Sequence, residues 1–584
     1  MKKIESLFIT ICLFAIITIT GVAIWSALKP AEQGEPYKFP ATKYGSFLAA
    51  QHAIYVNDFE TAADLTKNLR DVQYPIVQNA IYISDFLSGH MPSDAHLLKN
   101  EKSMSARLIY DAYLIQNDKW QELHKRHKTD DFALSAPLRI WSAIANDWRT
   151  DTFKFIDKLP THESWKSFVR GQIYAELGDI PQAAANFAAV TPEFMNINDY
   201  LYLMSFYTHH DMADAATQLR AEFTSRPGGM FILGYENIPD WSIYSGYKNQ
   251  LAFSLVQNVS HTHIMMYSDL SMLLLRFAQI TAPEFSSNNN VVDYYLGNFF
   301  WNNQGNYWAH FDKIKSDSPF YLFGILRNAE KSGNFDELHD ALHEHPLFVP
   351  AVDKLVRHHI KHGNKRNALR VINRAIDYEN LDQMGRAFFL KRRAHIYFVF
   401  GNLDKAQRDL REASKVLMAD IDILSLQAKI WATQNRELDN AYDYAMALIQ
   451  QNPTDVVAWD TLGTVIAKRE GVNAALDVLE RVGEVSATCS ALFEHLGDMY
   501  ADTGNQEKAL DAYMQAIDLS DDGLIIVPEI EKKIRKLNMK IGLINENSQA
   551  TKNSIIYNSL LKVCNEKVYT LYNFGMTSNE DESL

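Results

Sequence analysis

The sequence predicts an all-α chain: an α-solenoid of helix-turn-helix pairs wound into a superhelix, preceded by one N-terminal transmembrane helix. Three observations carry that prediction. Ala441, Ala475 and Ala509 recur at intervals of 34 residues, and Trp459 and Phe493 share the interval. Residues 7–28 (LFITICLFAIITITGVAIWSAL) hold no charged side chain. No clear run before residue 545 alternates apolar and polar residues as a half-buried strand does.

The elements follow in chain order. Residues 1–6 form a short tail with Lys2 and Lys3 against Glu5. The apolar run has 22 residues. At 1.5 Å each they reach about 33 Å, enough for a hydrocarbon core of roughly 30 Å. Trp25 lies near the far end, at the interfacial depth aromatic rings favour. A cleaved secretory signal would have an apolar stretch of only about 7–15 residues and a small-x-small site. The candidate sites here, Trp25-Ser26-Ala27 and Lys29-Pro30-Ala31, place large residues where a small one is needed. No cysteine follows the run in a lipoprotein position. A short positive tail ahead of a first apolar run stays in the cytoplasm, so the rest of the chain is expected on the far side. Residues 29–43 read as a linker.

Beyond the linker one frame returns. It reads Trp459, Leu462, Gly463, Ile466, Ala475, Leu479, and again Phe493, Leu496, Gly497, Tyr500, Ala509, Tyr513, Ala516. Ala406 and Ala368 extend the alanine series toward the N-terminus. Leucine and aromatic residues at i, i+3, i+4, i+7 make one face of a first helix that packs on a second. The glycines and alanines are small where the two helices cross. Gly363-Asn364, Gly401-Asn402 and Gly504-Asn505 close first helices, because glycine takes the left-handed end conformation readily. Asn452-Pro453 ends a second helix. Weaker copies are carried by Ala50, Asn57-Asp58, Ala62 and Leu65; by Phe168, Gly171, Tyr174, Gly178-Asp179, Ala183 and Phe187; by Leu296-Gly297, Phe300, Gly305-Asn306 and Ala309; and by Leu355, Ala368 and Ile372.

These copies define an N-terminal degenerate array over 44–227 and a C-terminal array over 291–522. Between them, 228–290 reads as an irregular helical connection, with turn signals at Pro227-Gly228-Gly229, Pro239-Asp240 and Ser286-Ser287-Asn288-Asn289-Asn290. A capping helix over 523–545 follows. Ile530, Ile534 and Leu537 form its apolar stripe, and Glu531, Lys532, Lys533, Arg535 and Lys536 face out, as the open end of a stack requires. Residues 546–584, rich in Asn and Ser with an acidic end, read as a disordered tail.

The repeat frame resembles the tetratricopeptide repeat (TPR), whose signature is W-x2-L-G-x2-Y…A-x3-F over a 34-residue unit. With its apolar N-terminal run, the chain resembles the membrane-anchored TPR proteins of the bacterial envelope. That resemblance implies a single-pass protein of the bacterial inner membrane with its bulk in the periplasm. A soluble periplasmic form with a cleaved signal is the alternative. The resemblance also implies a concave groove lined by exposed first-helix positions. Carried over copy by copy, these are Lys391 and His395; then Asp460, Thr464 and Lys468; then Glu494, Asp498 and Asp502. The family's carboxylate clamp pairs Lys with Asn. Here Lys391 and His395 are followed by Leu426 and Ile430, then Asp460 and Thr464, so a receptor for chaperone tails is disfavoured. The acidic groove of the last copies suits a basic protein or peptide partner.

Composition and motifs narrow the remaining classes. With 57 Lys+Arg against 71 Asp+Glu, the net charge of −14 argues against general nucleic-acid binding. Only three cysteines occur, with no CxxC, so thiolate zinc sites and disulfide frameworks are excluded. No nucleophile elbow, phosphate-binding loop or dinucleotide fingerprint is present. The sequence gives no positive support for an enzyme and calls for no cofactor. Histidine is the one candidate for metal: His339, His343, His345, His358, His359 and His362 cluster in 24 residues. His339 and His343 share a helix face, but no carboxylate lies between them as in HExxH. Surface and groove histidines explain the cluster more simply. His261, His263 and His209-His210 are weaker candidates still.

Function is therefore expected to be that of a membrane-anchored scaffold for protein–protein interaction. One alternative is a structural subunit of an envelope secretion or polysaccharide-export assembly. An exposed aromatic patch at Tyr294, Tyr295, Phe299, Phe300, Trp301, Tyr307, Trp308 and Phe311 would favour it, although this spacing reads first as core. A second alternative is a metal-dependent enzyme built on His339–His362.

Overall fold

The structure is a computed structural model that describes residues 42–128, 135–225, 237–261, 269–302, 307–379 and 381–540. The apolar run 7–28, most of the 29–43 linker, the end of the capping segment and the tail 546–584 lie outside the described residues. Helices and short 3-10 turns make up the regular structure of the described residues, with no strand among them. None of their helices is long and apolar enough to cross a membrane.

The chain folds as two compact units. One takes the residues up to His209 together with Pro239–Ser318, and the other takes His210–Ile238 together with Pro319 onward. This division differs from a C-terminal array beginning at 291. Residues 239–261 and 269–289, within the expected 228–290 connection, are core elements of the first unit. Trp241, Tyr244, Phe253 and Phe285 are buried there, and their rings interlock with Phe168, Phe187, Tyr202 and Phe206. Of the turn signals, Asp240 caps a 3-10 turn, Ser286–Asn289 lie in a helix that Asn290 closes in the left-handed conformation, and Pro227-Gly228-Gly229 lie outside the described residues; the described helices between them bury large aromatic surface, and such surface holds a core together. The 294–311 patch is core as well. Tyr295, Phe299, Phe300, Tyr307 and Phe311 are buried, while Trp308 is 37% exposed.

The second unit is the regular one. Its hairpins pair Val349–Lys361 with Lys365–Ile376, Gln383–Val399 with Leu403–Ala413, Ile421–Thr433 with Leu438–Gln451, Val456–Arg469 with Val472–Val485, and Ser490–Asp502 with Gln506–Asp518. Ala368, Ala406, Ala441, Ala475 and Ala509 are all 0% exposed. The glycine of the first helix meets the second helix directly. A Cβ on Gly497 would lie 2.5 Å from the Tyr513 ring, and one on Gly463 would lie 2.5 Å from Leu479. The first unit repeats the device at Gly171 against Phe187 and Gly297 against Phe311.

Hairpin turns carry a residue in the left-handed region. Gly363, Gly401 and Gly504 take it as expected, and Asn57, Asp118, Asp147 and Asn435 do so elsewhere. Short polar side chains tolerate this conformation because they bond locally to the backbone. The second helix of a hairpin then starts on an acidic or amide cap. Asp58, Asp179 and Asn505 each accept a backbone N–H three residues on.

The last helix, Val527–Lys540, buries Ile530 and Leu537. Glu531, Lys532, Arg535 and Lys536 are exposed as expected. Lys533 departs from that pattern and turns inward.

Candidate functional site: the cavity of the second unit

The first helices of the hairpins present charged residues to one another across the stack. Arg392 donates two hydrogen bonds to Asp353, at 2.6 and 2.7 Å. Lys391 reaches Asp420 and Asp422 at 2.8 Å each. Lys429 reaches Asp460 at 2.7 Å, and His495 reaches the other oxygen of the same carboxylate at 2.6 Å. Lys533 closes the series on Glu494 at 2.8 Å and Asp498 at 2.7 Å. Tyr513 also donates to Asp498, at 2.6 Å. Each cation thus binds an acid in a neighbouring repeat, and the result is a ladder of ion pairs along the inner face.

Burial sets the weight of each rung. Asp460 is 0% exposed. Burial alone would raise its carboxyl, but His495 and Lys429 outweigh it and hold the pKa well below the usual carboxylate range. Burial likewise opposes charge on Lys429 and His495, and the Asp460 carboxylate overrides it and raises both. Thr464 donates to the main-chain carbonyl of Asp460 at 2.9 Å.

Within this lining lies a cavity of about 660 Å³. Its walls include Val356, Arg357 and Ile360; Lys391, His395 and Phe398; Leu426 and Lys429; and Glu494 and His495. A segment after the last hairpin, Asp522–Ile526, forms the remaining wall. It is pinned at several points. Asp522 accepts from the Ser490 backbone N–H at 2.8 Å and from its hydroxyl at 2.6 Å. Lys361 reaches Asp521 at 2.6 Å across 160 residues of sequence. Gly523 has a φ of +71°, and a Cβ there would strike the Arg357 backbone at 2.8 Å. A side chain would therefore be both strained and displaced at this position. Ile525 is buried in the core of the last repeats. The inner face is thus bounded by the chain's own C-terminal segment.

The expected groove residues divide accordingly. Lys391, His395 and Glu494 line the cavity together. Lys391 is 8% exposed and already paired. Asp460 is buried behind the lining. Thr464 is half-buried, and Lys468 sits exposed in the last turn of its helix. The acidic groove expected over Glu494, Asp498 and Asp502 is corrected: Lys533 pairs with the first two from within and removes half of their charge. Asp502 alone of the three is exposed and takes no ion pair among the described residues. The family carry-over missed Arg357, Arg392, Lys429, His495 and Lys533. A signal for two rungs was available, since Lys391–Asp422 and Lys429–Asp460 share a spacing of 31 residues.

The histidine cluster is also resolved in part. His339 and His359 lie with ring centroids 5.2 Å apart, and His358 and His362 lie 4.4 Å apart. His343 meets Arg374. Among the described residues no three His, Cys, Asp or Glu side chains are placed to hold one metal ion. His261 pairs with Asp199 at 2.7 Å, while His263 lies outside the described residues.

Comparison with known proteins agrees with the repeat frame. The tetratricopeptide repeat family matches residues 491–522. No curated protein sequence matches the chain. Among solved structures, a tetratricopeptide repeat protein from Parabacteroides merdae is 15% identical, covering 50% of this chain and all of that one, with a TM-score of 0.30. The Cut9–Hcn1 hetero-tetramer of the APC/C is 12% identical, covering 85% of this chain and 96% of that one, with a TM-score of 0.30. Yeast Tom70 is 12% identical, covering 88% of this chain and 99% of that one, with a TM-score of 0.23. Such repeats support a scaffold for protein–protein interaction. The recurring frame, its buried alanines and its glycine contacts are those of stacked helical hairpins, and over residues 491–522 the chain matches the tetratricopeptide repeat.

Proposed function

We propose that the chain is a membrane-anchored TPR scaffold of the bacterial envelope that captures a protein or peptide partner at the inner face of its second unit. The observation that carries this reading is the cavity of about 660 Å³ walled by successive first helices. Its size falls in the range of about 300–1,000 Å³ typical of ligand sites. Most of its charges are paired internally, so recognition falls to the apolar wall and to the exposed Arg357 and Glu529 at its rim. This replaces the preference for a basic partner that an unpaired acidic groove would have had.

Membrane attachment through residues 7–28 and a periplasmic bulk are supported by the uncharged run and the positive tail before it. An anchor would raise the effective concentration of the cavity at the membrane. The test is photo-crosslinking in native membranes, with a photoreactive amino acid at Arg357 or at Glu529. Arg411, on the outer helix Leu403–Ala413, serves as the control. A discrete partner captured from the two rim positions and not from Arg411 supports the reading. Equal capture from Arg411 overturns it. A topology reporter fused after residue 545 tests the orientation separately.

A further inference from the structure

The first described helix, Lys43–Tyr55, has two unlike faces. Ser46, Ala49, Ala50 and Ala53 are buried. Phe47 packs on the small cluster of Leu69, Val77 and Ile81. The opposite face carries Tyr44, Leu48 and Tyr55 at i, i+4 and i+11, which a helical period of 3.6 residues brings into one stripe. Among the described residues nothing covers them. Tyr44 is 74% exposed, Leu48 50% and Tyr55 81%. The Lys43–Asp71 ion pair ties the start of this helix to the segment that leads into Pro75–Leu87. There Tyr74 and Ile76 are 71% and 67% exposed. Large apolar side chains left uncovered in this way mark an interaction surface.

We infer that this face lies on the lipid bilayer, with Tyr44, Leu48 and Tyr55 at the boundary of headgroups and acyl chains and the exposed Tyr74 and Ile76 free to join them. The inference rests on the anchor proposed above. Residues 29–41 alone separate the apolar run from Thr42, so even fully extended they hold the helix within about 45 Å of its end. Three of the five side chains are tyrosines, whose apolar ring and hydroxyl suit the membrane interface. No charge interrupts the stripe. The Lys43–Tyr55 helix would then set the height of the first unit above the membrane.

The test uses the full chain in vesicles of phosphatidylcholine and phosphatidylglycerol that carry a photoactivatable acyl chain. Wild type is compared with the Tyr44→Ser/Leu48→Ser/Tyr55→Ser variant. All three side chains are exposed, and far-UV circular dichroism checks that the variant keeps its helices. Lipid adducts are mapped by mass spectrometry on the peptide spanning 43–56 and on the exposed Lys468 region. The expected result is adducts on 43–56 that fall about ten-fold in the variant, while both chains stay with the vesicles after an alkaline wash. Equal adducts in the variant, or none on 43–56 in a chain that stays with the vesicles, overturn the inference and leave the anchor standing. Crosslinks from 43–56 to the same segment of a second copy also overturn it. A chain that washes off the vesicles removes the anchor, and the inference with it.

Discussion

The two units share the glycine crossing within a helix pair but differ in what fills the space around it. In the first unit, interlocked rings of Phe168, Phe187, Tyr202, Phe206, Trp241, Tyr244 and Phe253 fill the interior. In the second, small residues let helices approach closely, and a ladder of ion pairs joins one repeat to the next. An aromatic core tolerates drift in the repeat pattern, because large rings can fill irregular space from many directions. Alanine and glycine at a helix crossing tolerate none. That difference explains why the repeats are degenerate in the first unit and legible in the second.

The comparison can be broken at its strongest points first. Asp460→Ala leaves Lys429 and His495 without their shared carboxylate, and is expected to cost about 3–5 kcal/mol in denaturant unfolding of the full chain. Lys429→Met/Asp460→Leu/His495→Leu should recover most of that loss, because the charges are removed together. Phe253→Ala is expected to cost a similar amount, about 3–5 kcal/mol, in the aromatic core. Its cost should be insensitive to pH between 6 and 8. The cost of Asp460→Ala should shrink over that range, because His495, raised in the folded state, gives stability that is full below the unfolded value of 6.5 and is lost as pH rises through its folded pKa.

Close packing comes next. Gly497→Val is expected to cost about 1–3 kcal/mol through its clash with Tyr513, and Gly171→Val a comparable amount against Phe187. Equal values would show that the hairpin crossing is one device in both units. A much smaller value at Gly171, read from the unfolding midpoint, would show that the aromatic unit yields where the regular one does not.

Acid acts on the second unit through His359. Its ring is buried, and both ring nitrogens lack a hydrogen-bond partner among the described residues. Burial, then the neighbouring His339, His358 and His362, push its pKa down to about 4. The folded state binds this proton less well than the unfolded chain. Stability is therefore full above the unfolded value of 6.5 and falls as pH drops toward the folded one. His359→Leu should spare the chain on the order of 1–2 kcal/mol of acid destabilisation, read as the difference in unfolding free energy between pH 7 and pH 4.5. Smallest of all, Lys361→Ala removes a pair whose acid, Asp521, has a side chain 79% exposed. It should change stability by no more than about 1 kcal/mol.

Legibility followed the range of the interaction. The frame around Trp459 and Phe493 could be read because each of its positions answers to a partner within one hairpin. The turns at Asp118, Asp147 and Asn435 carry no glycine signal in the sequence, because Asp and Asn enter the left-handed region by local side-chain bonding instead. Turn residues such as Pro239-Asp240 suggest a connection over 228–290, and nothing local shows that Trp241, Tyr244 and Phe253 meet rings 39, 42 and 85 residues away.

By itself, the sequence determined that this chain is helical, that its helices pair at a period of 34 residues, and where its small residues must lie. Helical periodicity and close crossing are imposed by near neighbours, so composition and spacing suffice to show them. Only the tertiary structure decided which charges stay free. Lys533 looked solvent-facing in its own helix and acidic Asp498 looked available in its groove, yet winding the repeats brings them to 2.7 Å. A charge pairs with whatever the superhelix places beside it, and that placement sums the geometry of every hairpin between the two.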